Sequence, residues 1–149
     1  MIQDIRNFLQ LNENLLCSGM PTAEQLKSVA DAGVKVVINL APFDPKTDLA
    51  DEGRLAESLG MKYINISVDW EAPTRQNLED FIKAMDENPD EKIFVHCRAN
   101  YRATGFITLY RVRQLGWKPE DAFKDLRRIW NSDEYPIWKK FIEENLPLT

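Results

Sequence analysis

The sequence contains few of the residues that build metal clusters or disulfide frameworks. Its 149 residues include one histidine, His96, and two cysteines, Cys17 and Cys97. A structural zinc site and a small disulfide-stapled fold both need a larger set of such side chains. We therefore expect neither a metal nor another cofactor, and any chemistry of these residues is expected to come from a single thiol or imidazole.

Long apolar runs and an excess of basic residues are also missing. No stretch approaches the roughly 18 apolar residues of a membrane-spanning helix, and the start MIQDIRNFLQ lacks the basic and apolar segments of a secretory signal. Nineteen Lys and Arg against 24 Asp and Glu give a net charge of -5. That balance argues against binding to nucleic acid or anionic lipid. We expect a cytoplasmic protein whose partners include neither nucleic acid nor membrane.

Strand-like and helix-like segments alternate along the chain. Thr22 and Gln25 form the pattern of a helix-capping box. This alternation, followed by a run of helices, predicts one α/β domain over residues 1–149. Its fold is expected to have a mostly parallel central sheet of four to five strands with helices on both faces. The predicted strands are 14–18, 34–40, 62–68 and 91–97, and the predicted helices include 49–59, 75–85, 103–116, 118–130 and 134–146.

Cys97 lies where the last predicted strand meets a long helix, with Arg98 and Arg102 close by. Ligands of α/β sheets bind at this edge, because backbone N–H groups and a helix N-terminus converge there. These surroundings favour a thiolate. Arg102 could hold two oxygens of a tetrahedral oxyanion through its planar guanidinium. A cysteine at a strand end is more often core packing, but the two arginines favour a reactive thiol.

The segment around Cys97 is strongly basic for an acidic protein. Residues 92–119 contain no Asp or Glu. We expect this segment to concentrate positive charge around the thiol. Its basic residues are Lys92, Arg98, Arg102, Arg111, Arg113 and Lys118.

The stretch HCRANYRAT, together with SGMPTAEQL and VKVVINL, resembles the cysteine-dependent phosphatases of the tyrosine and dual-specificity type. More narrowly, it is similar to a bacterial phosphatase-like family that also occurs fused to β-lactamase-like hydrolases. The resemblance implies a phosphocysteine on Cys97, an oxyanion clamp at Arg102 and a Thr104 hydroxyl that assists departure of the thiolate. It also implies a phosphorylated small molecule or protein as substrate. The implied phosphate-binding residues are Arg98, Ala99, Asn100, Tyr101, Ala103 and Thr104.

The resemblance further implies a general acid, and Asp69 occupies the corresponding loop. It follows the preceding strand, so it reaches the same sheet edge as Cys97. Glu71 is the alternative acid, and a turn or helix-cap role is an equally common use of such an aspartate. His96 is interpreted as a residue that orients the loop backbone, and Trp70 as a residue that could flank a substrate.

The loop from Cys97 to Arg102 is one residue shorter than the phosphatase pattern, and Asn100 replaces its usual glycine. Asparagine adopts positive φ more readily than other non-glycine residues. A six-residue loop with Arg98 directly after the cysteine also resembles rhodanese-type sulfurtransferases, in which the cysteine carries a persulfide. Asp69 favours the phosphatase, because a sulfur carrier has no alkoxide leaving group to protonate. A non-catalytic module that binds phosphate or sulfate is the third alternative.

Overall fold

Four parallel strands and one antiparallel edge strand form the central sheet of the computed structural model, which describes residues 1–46 and 48–147. The strand order is β1-β2-β5-β3-β4, and only β1 runs antiparallel to its neighbour. The predicted mostly parallel α/β sheet is confirmed. The strands are β1 (Leu9–Asn12), β2 (Leu15–Ser18), β3 (Val36–Asn39), β4 (Lys62–Asn65) and β5 (Ile93–His96).

Within the described residues, six α-helices cover the sheet. Two of them, α1 and α2, pack on one face, and the other four contribute to the core on the opposite face. Short 3₁₀ turns occur at Ile2–Asp4 and Ser132–Glu134. The helices are α1 (Ala23–Asp31), α2 (Glu52–Ser58), α3 (Arg75–Asp86), α4 (Tyr101–Arg113), α5 (Pro119–Arg127) and α6 (Pro136–Asn145).

The inner strands are apolar on both faces, because side chains alternate across a sheet that is covered on both sides. In β3, Val36 and Ile38 belong to the core that includes Phe81 of α3 and Phe106 of α4. Val37, between them, belongs to the core beneath α1 and α2. This explains why the predicted strand appeared as a nearly continuous apolar run rather than an alternating one.

The predicted capping box of α1 is confirmed. The Thr22 hydroxyl accepts a hydrogen bond from the Gln25 amide at 3.1 Å, and the Gln25 side chain accepts one from the Thr22 amide at 2.9 Å. The strand predicted over 62–68 ends earlier, at Asn65, whose side-chain amide donates to the carbonyls of Asn39 and Ala41. Strand β1 was not predicted: its residues Leu9–Asn12 alternate between apolar and polar, but the run is only four residues long.

The last strand, β5, lies in the middle of the sheet between β2 and β3. His96, its final residue, is in register with Ser18 on one side and Asn39 on the other. The loop after β5 therefore starts at the centre of the carboxyl edge and leads directly into α4. Among the described helices, none combines the length and apolar character needed to cross a membrane.

Candidate active site

Cys97 follows β5 and lies just before the N-terminus of α4. Its amide donates to the Ser18 carbonyl at 3.3 Å, and the residue is only 1% exposed. The first residues of a helix have amides without an intrahelical acceptor. Here these residues are Tyr101, Arg102 and Ala103, at the positive end of a 13-residue helix.

Arg102 joins the thiol to the loop that carries Asp69. Its side chain is buried and donates through Nη1 to the Val68 carbonyl at 2.8 Å, and it lies close enough to Cys97 for the two groups to interact electrostatically. Burial lowers the pKa of the Arg102 guanidinium, and the nearby Cys97 sulfur and Asp69 carboxylate act in the opposite direction. The predicted nucleophile, clamp and acid are thus neighbours, although 33 residues separate Asp69 from Arg102 in the sequence.

Arg98 extends away from this group. Its Nη1 and Nη2 donate to the two carboxylate oxygens of Asp48 at 2.8 and 3.0 Å, and Nη2 also donates to the Pro42 carbonyl at 2.6 Å. The hydrogen bond to Asp48 is the main reason why the pKa of Arg98 is raised. The Arg98 guanidinium therefore ties the loop to the segment after β3.

Of the basic run, Arg98 and Arg102 lie near Cys97, but Lys92 and Arg111 do not, so the prediction that the whole run concentrates around the thiol was wrong. Lys92, at the far end of β5, donates to the Ala32 carbonyl. Arg111 pairs with Asp125 of α5 at 2.7 Å. An α-helix advances about 1.5 Å per residue, so α4 carries its C-terminal arginines well away from the thiol. Basic residues that are close together in the sequence are therefore spread over different parts of the fold.

Asn100 adopts the positive φ, 69°, that a glycine would otherwise supply. Its side-chain amide donates to the Asn7 carbonyl at 2.8 Å and to the Cys17 sulfur at 3.3 Å. These contacts point away from α4 toward the N-terminal segment and β2. Asn100 therefore fixes the shape of the loop from behind, and its side chain is not directed to a bound anion.

The N-terminal segment and the turn after β2 brace the same loop, a feature that sequence reasoning missed. The Asn7 side chain donates to the Ala99 carbonyl at 2.9 Å, and the Met20 amide donates to the Arg98 carbonyl at 3.1 Å. Gly19 lies so close that a Cβ atom there would be 2.4 Å from the Arg98 carbonyl oxygen. The signal in the sequence was the glycine of SGMPT, directly after β2.

Thr104 does not fulfil either role predicted for it. Its hydroxyl donates to the Asn100 carbonyl at 2.7 Å and accepts from the Trp130 indole at 2.9 Å, while its amide also donates to the Asn100 carbonyl. A hydroxyl has one proton, so this arrangement leaves none for the thiol or for an anion. Thr104 instead stabilises the first turn of α4, because its hydroxyl donates to a carbonyl of that turn.

Asp69 and Glu71 are both exposed on the loop after β4. The Glu71 amide donates to the Asp69 carboxylate at 2.9 Å, so the expected turn role of Asp69 is present. Asp69 directly follows Val68, whose carbonyl binds Arg102, and its charge acts on that guanidinium. Asp69 is therefore better placed than Glu71 to face the thiol.

An aromatic cluster links the loop of Asp69 to the loop of Cys97. Trp70 stacks on Trp138 of α6 with ring centroids 5.3 Å apart, and the Trp138 indole donates to the Trp70 carbonyl at 2.7 Å. Tyr101 stacks on Trp130 at 4.8 Å with nearly parallel rings, and Tyr135 contacts both Trp70 and Tyr101. Trp70 is thus largely a packing residue of this cluster, which holds the two loops in a fixed relation.

His96 lies beneath the loop, as predicted for a residue that orients the backbone. Its Nδ1 is 3.4 Å from the Cys97 carbonyl oxygen. Its Nε2 is 2.6 Å from a carboxylate oxygen of Glu52, a contact that the sequence did not indicate. In the described part of the chain, no group of three or more His, Cys, Asp or Glu side chains is arranged to hold a metal ion.

A thiol at the end of the central strand, an arginine near it, and an aspartate on an adjacent loop define the class of cysteine-dependent phosphatases of the tyrosine and dual-specificity type. The family model described as "Polymorphic toxin system, DSP-PTPase phosphatase" matches residues 13–114, and the chain belongs to this family. The family resemblance predicted from the loop motif is confirmed. No curated protein matches the chain.

The DUF442 protein of Shewanella putrefaciens CN-32 is similar in sequence as well as structure. One of its crystal structures is 38% identical, with a TM-score of 0.88, and the match covers 97% of this chain and 93% of that one. A second crystal structure gives 37% identity and a TM-score of 0.85, and the match covers 97% and 91% of the two chains. These matches confirm the narrower phosphatase-like family.

More distant structures share the fold. The core catalytic domain of the PP-IP phosphatase SIW14 from S. cerevisiae, in complex with citrate, is 19% identical with a TM-score of 0.73, and the match covers 93% of this chain and 85% of that one. TpbA of P. aeruginosa in complex with pTyr is 14% identical with a TM-score of 0.70, and the match covers 91% and 82%.

Proposed function

We propose that the protein hydrolyses a phosphomonoester through a phosphocysteine on Cys97, with Arg102 as the oxyanion clamp and Asp69 as the general acid. The substrate is a phosphorylated small molecule or a phosphorylated protein. The observation that carries the proposal is the position of Arg102, which hydrogen-bonds the Val68 carbonyl beside Asp69 and interacts electrostatically with both Cys97 and Asp69. One side chain thereby connects the group that attacks phosphorus with the group that protonates the leaving oxygen.

In the first step, the phosphoryl group binds above the sulfur at the N-terminus of α4. Two of its oxygens accept hydrogen bonds from Arg102, and the remaining contacts come from backbone amides of residues 98–101 and Ala103. The Cys97 thiolate attacks phosphorus, the S–P bond forms, and the bond from phosphorus to the leaving oxygen breaks. Asp69 gives its proton to that oxygen, a contribution of about 10² to 10⁴ in rate.

In the second step, water attacks the phosphocysteine. Asp69, now a carboxylate, accepts a proton from the water, the S–P bond breaks, and inorganic phosphate leaves. Thr104 cannot assist the departing sulfur, because its proton is donated to the Asn100 carbonyl. Stabilisation of the thiolate falls to Arg102 and the positive end of α4. We therefore expect hydrolysis of the phosphocysteine to be slower than its formation.

Stopped-flow kinetics with p-nitrophenyl phosphate test this proposal. We expect a burst of p-nitrophenol equal to the enzyme concentration, followed by a slower steady rate. The Cys97→Ser variant should lose both phases and still bind inorganic phosphate, whereas the Cys17→Ser variant, the matched control, should retain them. Undiminished turnover by Cys97→Ser would refute the proposal.

A sulfurtransferase is the second candidate, because the six-residue loop from Cys97 to Arg102 is shorter than the phosphatase pattern. In that reaction the Cys97 thiolate takes the outer sulfur of thiosulfate, sulfite leaves, and cyanide then removes the sulfur as thiocyanate. Turnover of thiosulfate with cyanide, but not of the aryl phosphate, would replace the phosphatase proposal with this one. Phosphate or sulfate binding without turnover of either substrate would leave an anion-binding module.

A further inference from the structure

A buried carboxylate and the only histidine meet directly beneath the loop of Cys97. The His96 side chain is fully buried and that of Glu52 is 6% exposed, and Nε2 of His96 lies 2.6 Å from Oε2 of Glu52. This distance is shorter than that of an ordinary N–H···O hydrogen bond, and short hydrogen bonds are characteristic of pairs that involve an ionised group. Glu52 is the first residue of α2 and lies 44 residues before His96, outside the loop motif.

The protons of this pair can be assigned from its contacts. A carbonyl oxygen only accepts hydrogen bonds, so the contact between His96 Nδ1 and the Cys97 carbonyl is attractive only if Nδ1 carries a proton. One further proton then lies between His96 Nε2 and Glu52 Oε2, bonded to either the nitrogen or the oxygen. A histidine protonated on Nε2 alone would direct a lone pair of Nδ1 at the Cys97 carbonyl.

The Cys97 carbonyl matters because a peptide unit is planar. Fixing this carbonyl toward His96 also fixes the direction of the Arg98 amide, which belongs to the same plane. That peptide links the sulfur-bearing residue to the rest of the anion-binding loop. Its orientation therefore sets where the first backbone amide after Cys97 points. The stack of the His96 ring on Phe94, with centroids 5.3 Å apart, limits rotation of the ring itself.

We propose that Glu52 is a positioning residue for the loop of Cys97: through His96, and with a proton held on Nδ1, it fixes the carbonyl of the nucleophilic residue. This inference rests on the proposed function only in the experiment that measures phosphatase turnover. Glu52 touches neither the thiol nor the anion, and its effect passes through the imidazole. For this role, the side chain at position 52 must be buried and must offer a hydrogen-bonding group to Nε2 of His96.

Two substitutions separate positioning from a general loss of structure. In Glu52→Gln, the side-chain amide can donate to Nε2, which keeps the proton on Nδ1. In Glu52→Met, an apolar chain of similar length leaves Nε2 without a partner. Because His96 is the only histidine, its ¹⁵N imidazole resonances are unambiguous. Glu57→Gln, on the exposed side of the same helix, is the matched control.

We expect ¹⁵N spectra to place a proton on Nδ1 in the wild type, Glu52→Gln and Glu57→Gln, and a substantial Nε2-protonated tautomer in Glu52→Met. The kcat for p-nitrophenyl phosphate should fall about 10- to 100-fold in Glu52→Met and much less in Glu52→Gln. If the wild type lacks turnover, the proposed function fails, and the affinity for inorganic phosphate, followed by tryptophan fluorescence, should show the same order of variants.

A wild-type His96 protonated only on Nε2 would overturn the inference, even if Glu52→Met does not fold. Equal losses of kcat and of phosphate affinity in Glu52→Gln and Glu52→Met, with the tautomer preserved in the first, would overturn it as well. So would a folded Glu52→Met that retains the wild-type tautomer and rate.

Discussion

Replacing Gly19 by alanine tests whether the loop of Cys97 depends on its contact with the turn after β2. The Cβ atom of an alanine would lie 2.4 Å from the Arg98 carbonyl oxygen, and contacts under 3.0 Å are essentially never tolerated. The carbonyl belongs to the backbone and cannot rotate away as a flexible side chain does. It must therefore retreat by about 0.6 Å, and it carries the loop with it.

The expected effects on stability and on activity differ in size. Overpacking of this kind costs typically about 1 to 3 kcal/mol, and at this chain length each kcal/mol lowers the Tm by about 2 to 4 °C. The Tm should thus fall by about 2 to 12 °C. Displacements approaching 1 Å at a site that positions a reacting group cost about 100-fold in rate, so kcat/KM should fall by at least 10-fold in a protein that is still folded.

Thermal unfolding by circular dichroism and kcat/KM for p-nitrophenyl phosphate would measure the two effects. Gly105→Ala is the matched control, because a Cβ there meets the Trp138 and Trp130 rings at 3.6 and 3.7 Å, an ordinary contact. In a helix interior this substitution should also gain up to about 1 kcal/mol of helix propensity. A Gly19→Ala variant that retains wild-type kcat/KM, or that loses no more than Gly105→Ala, would show that the loop of Cys97 does not depend on this contact.

Three further predictions follow from the same contacts. Arg102→Ala should weaken phosphate binding by about 100-fold, because it removes charge-assisted hydrogen bonds worth about 3 kcal/mol. Arg98→Ala should weaken phosphate binding less than 10-fold. Equal losses of affinity in the two variants, measured by calorimetry, would show that Arg102 is not the only oxyanion clamp. Asp69→Asn should lower kcat for an alkyl phosphate by a factor of about 10² to 10⁴, whereas Glu71→Gln should leave kcat near the wild-type value. A larger loss of kcat in Glu71→Gln than in Asp69→Asn would identify Glu71 as the general acid. Burial raises the pKa of Cys17 to about 12 from 9.0, so the folded state holds this proton more tightly than the unfolded state does. The contribution of Cys17 to the free energy of unfolding should be fully present below about pH 9 and should be lost as the pH rises toward 12. Denaturant titrations should show a shallower loss for Cys17→Ala, and an equal loss in both proteins would contradict this prediction.

Elements of the fold with strong local signals were predictable from the sequence. The capping box of Thr22 and Gln25 specified the start of α1, and the apolar run in β3 indicated a strand covered on both faces. Strand β1 was missed, because its pairing with β2 depends on a tight hairpin rather than on a pattern within four residues.

The site was predictable where it lies within one loop and much less so where it depends on distant residues. Asn100 was expected to accept positive φ and does so. Asn7 and Glu52 were missed, because each contacts the loop region from a sequence separation that no local pattern encodes. The role predicted for Thr104 overlooked that its hydroxyl is held by the Asn100 carbonyl and by the indole of Trp130, which lies 26 residues further along the chain.

The most direct test of the account is to look for the covalent intermediate itself. Protein mixed with p-nitrophenyl phosphate, quenched in acid within the burst and digested, should contain one phosphoryl group on the peptide that carries Cys97, detected by mass spectrometry. The modification should be absent from Cys97→Ser. Turnover of the aryl phosphate with the phosphoryl group on any other peptide, or with no modified peptide at all, would contradict the assignment of Cys97 as the nucleophile.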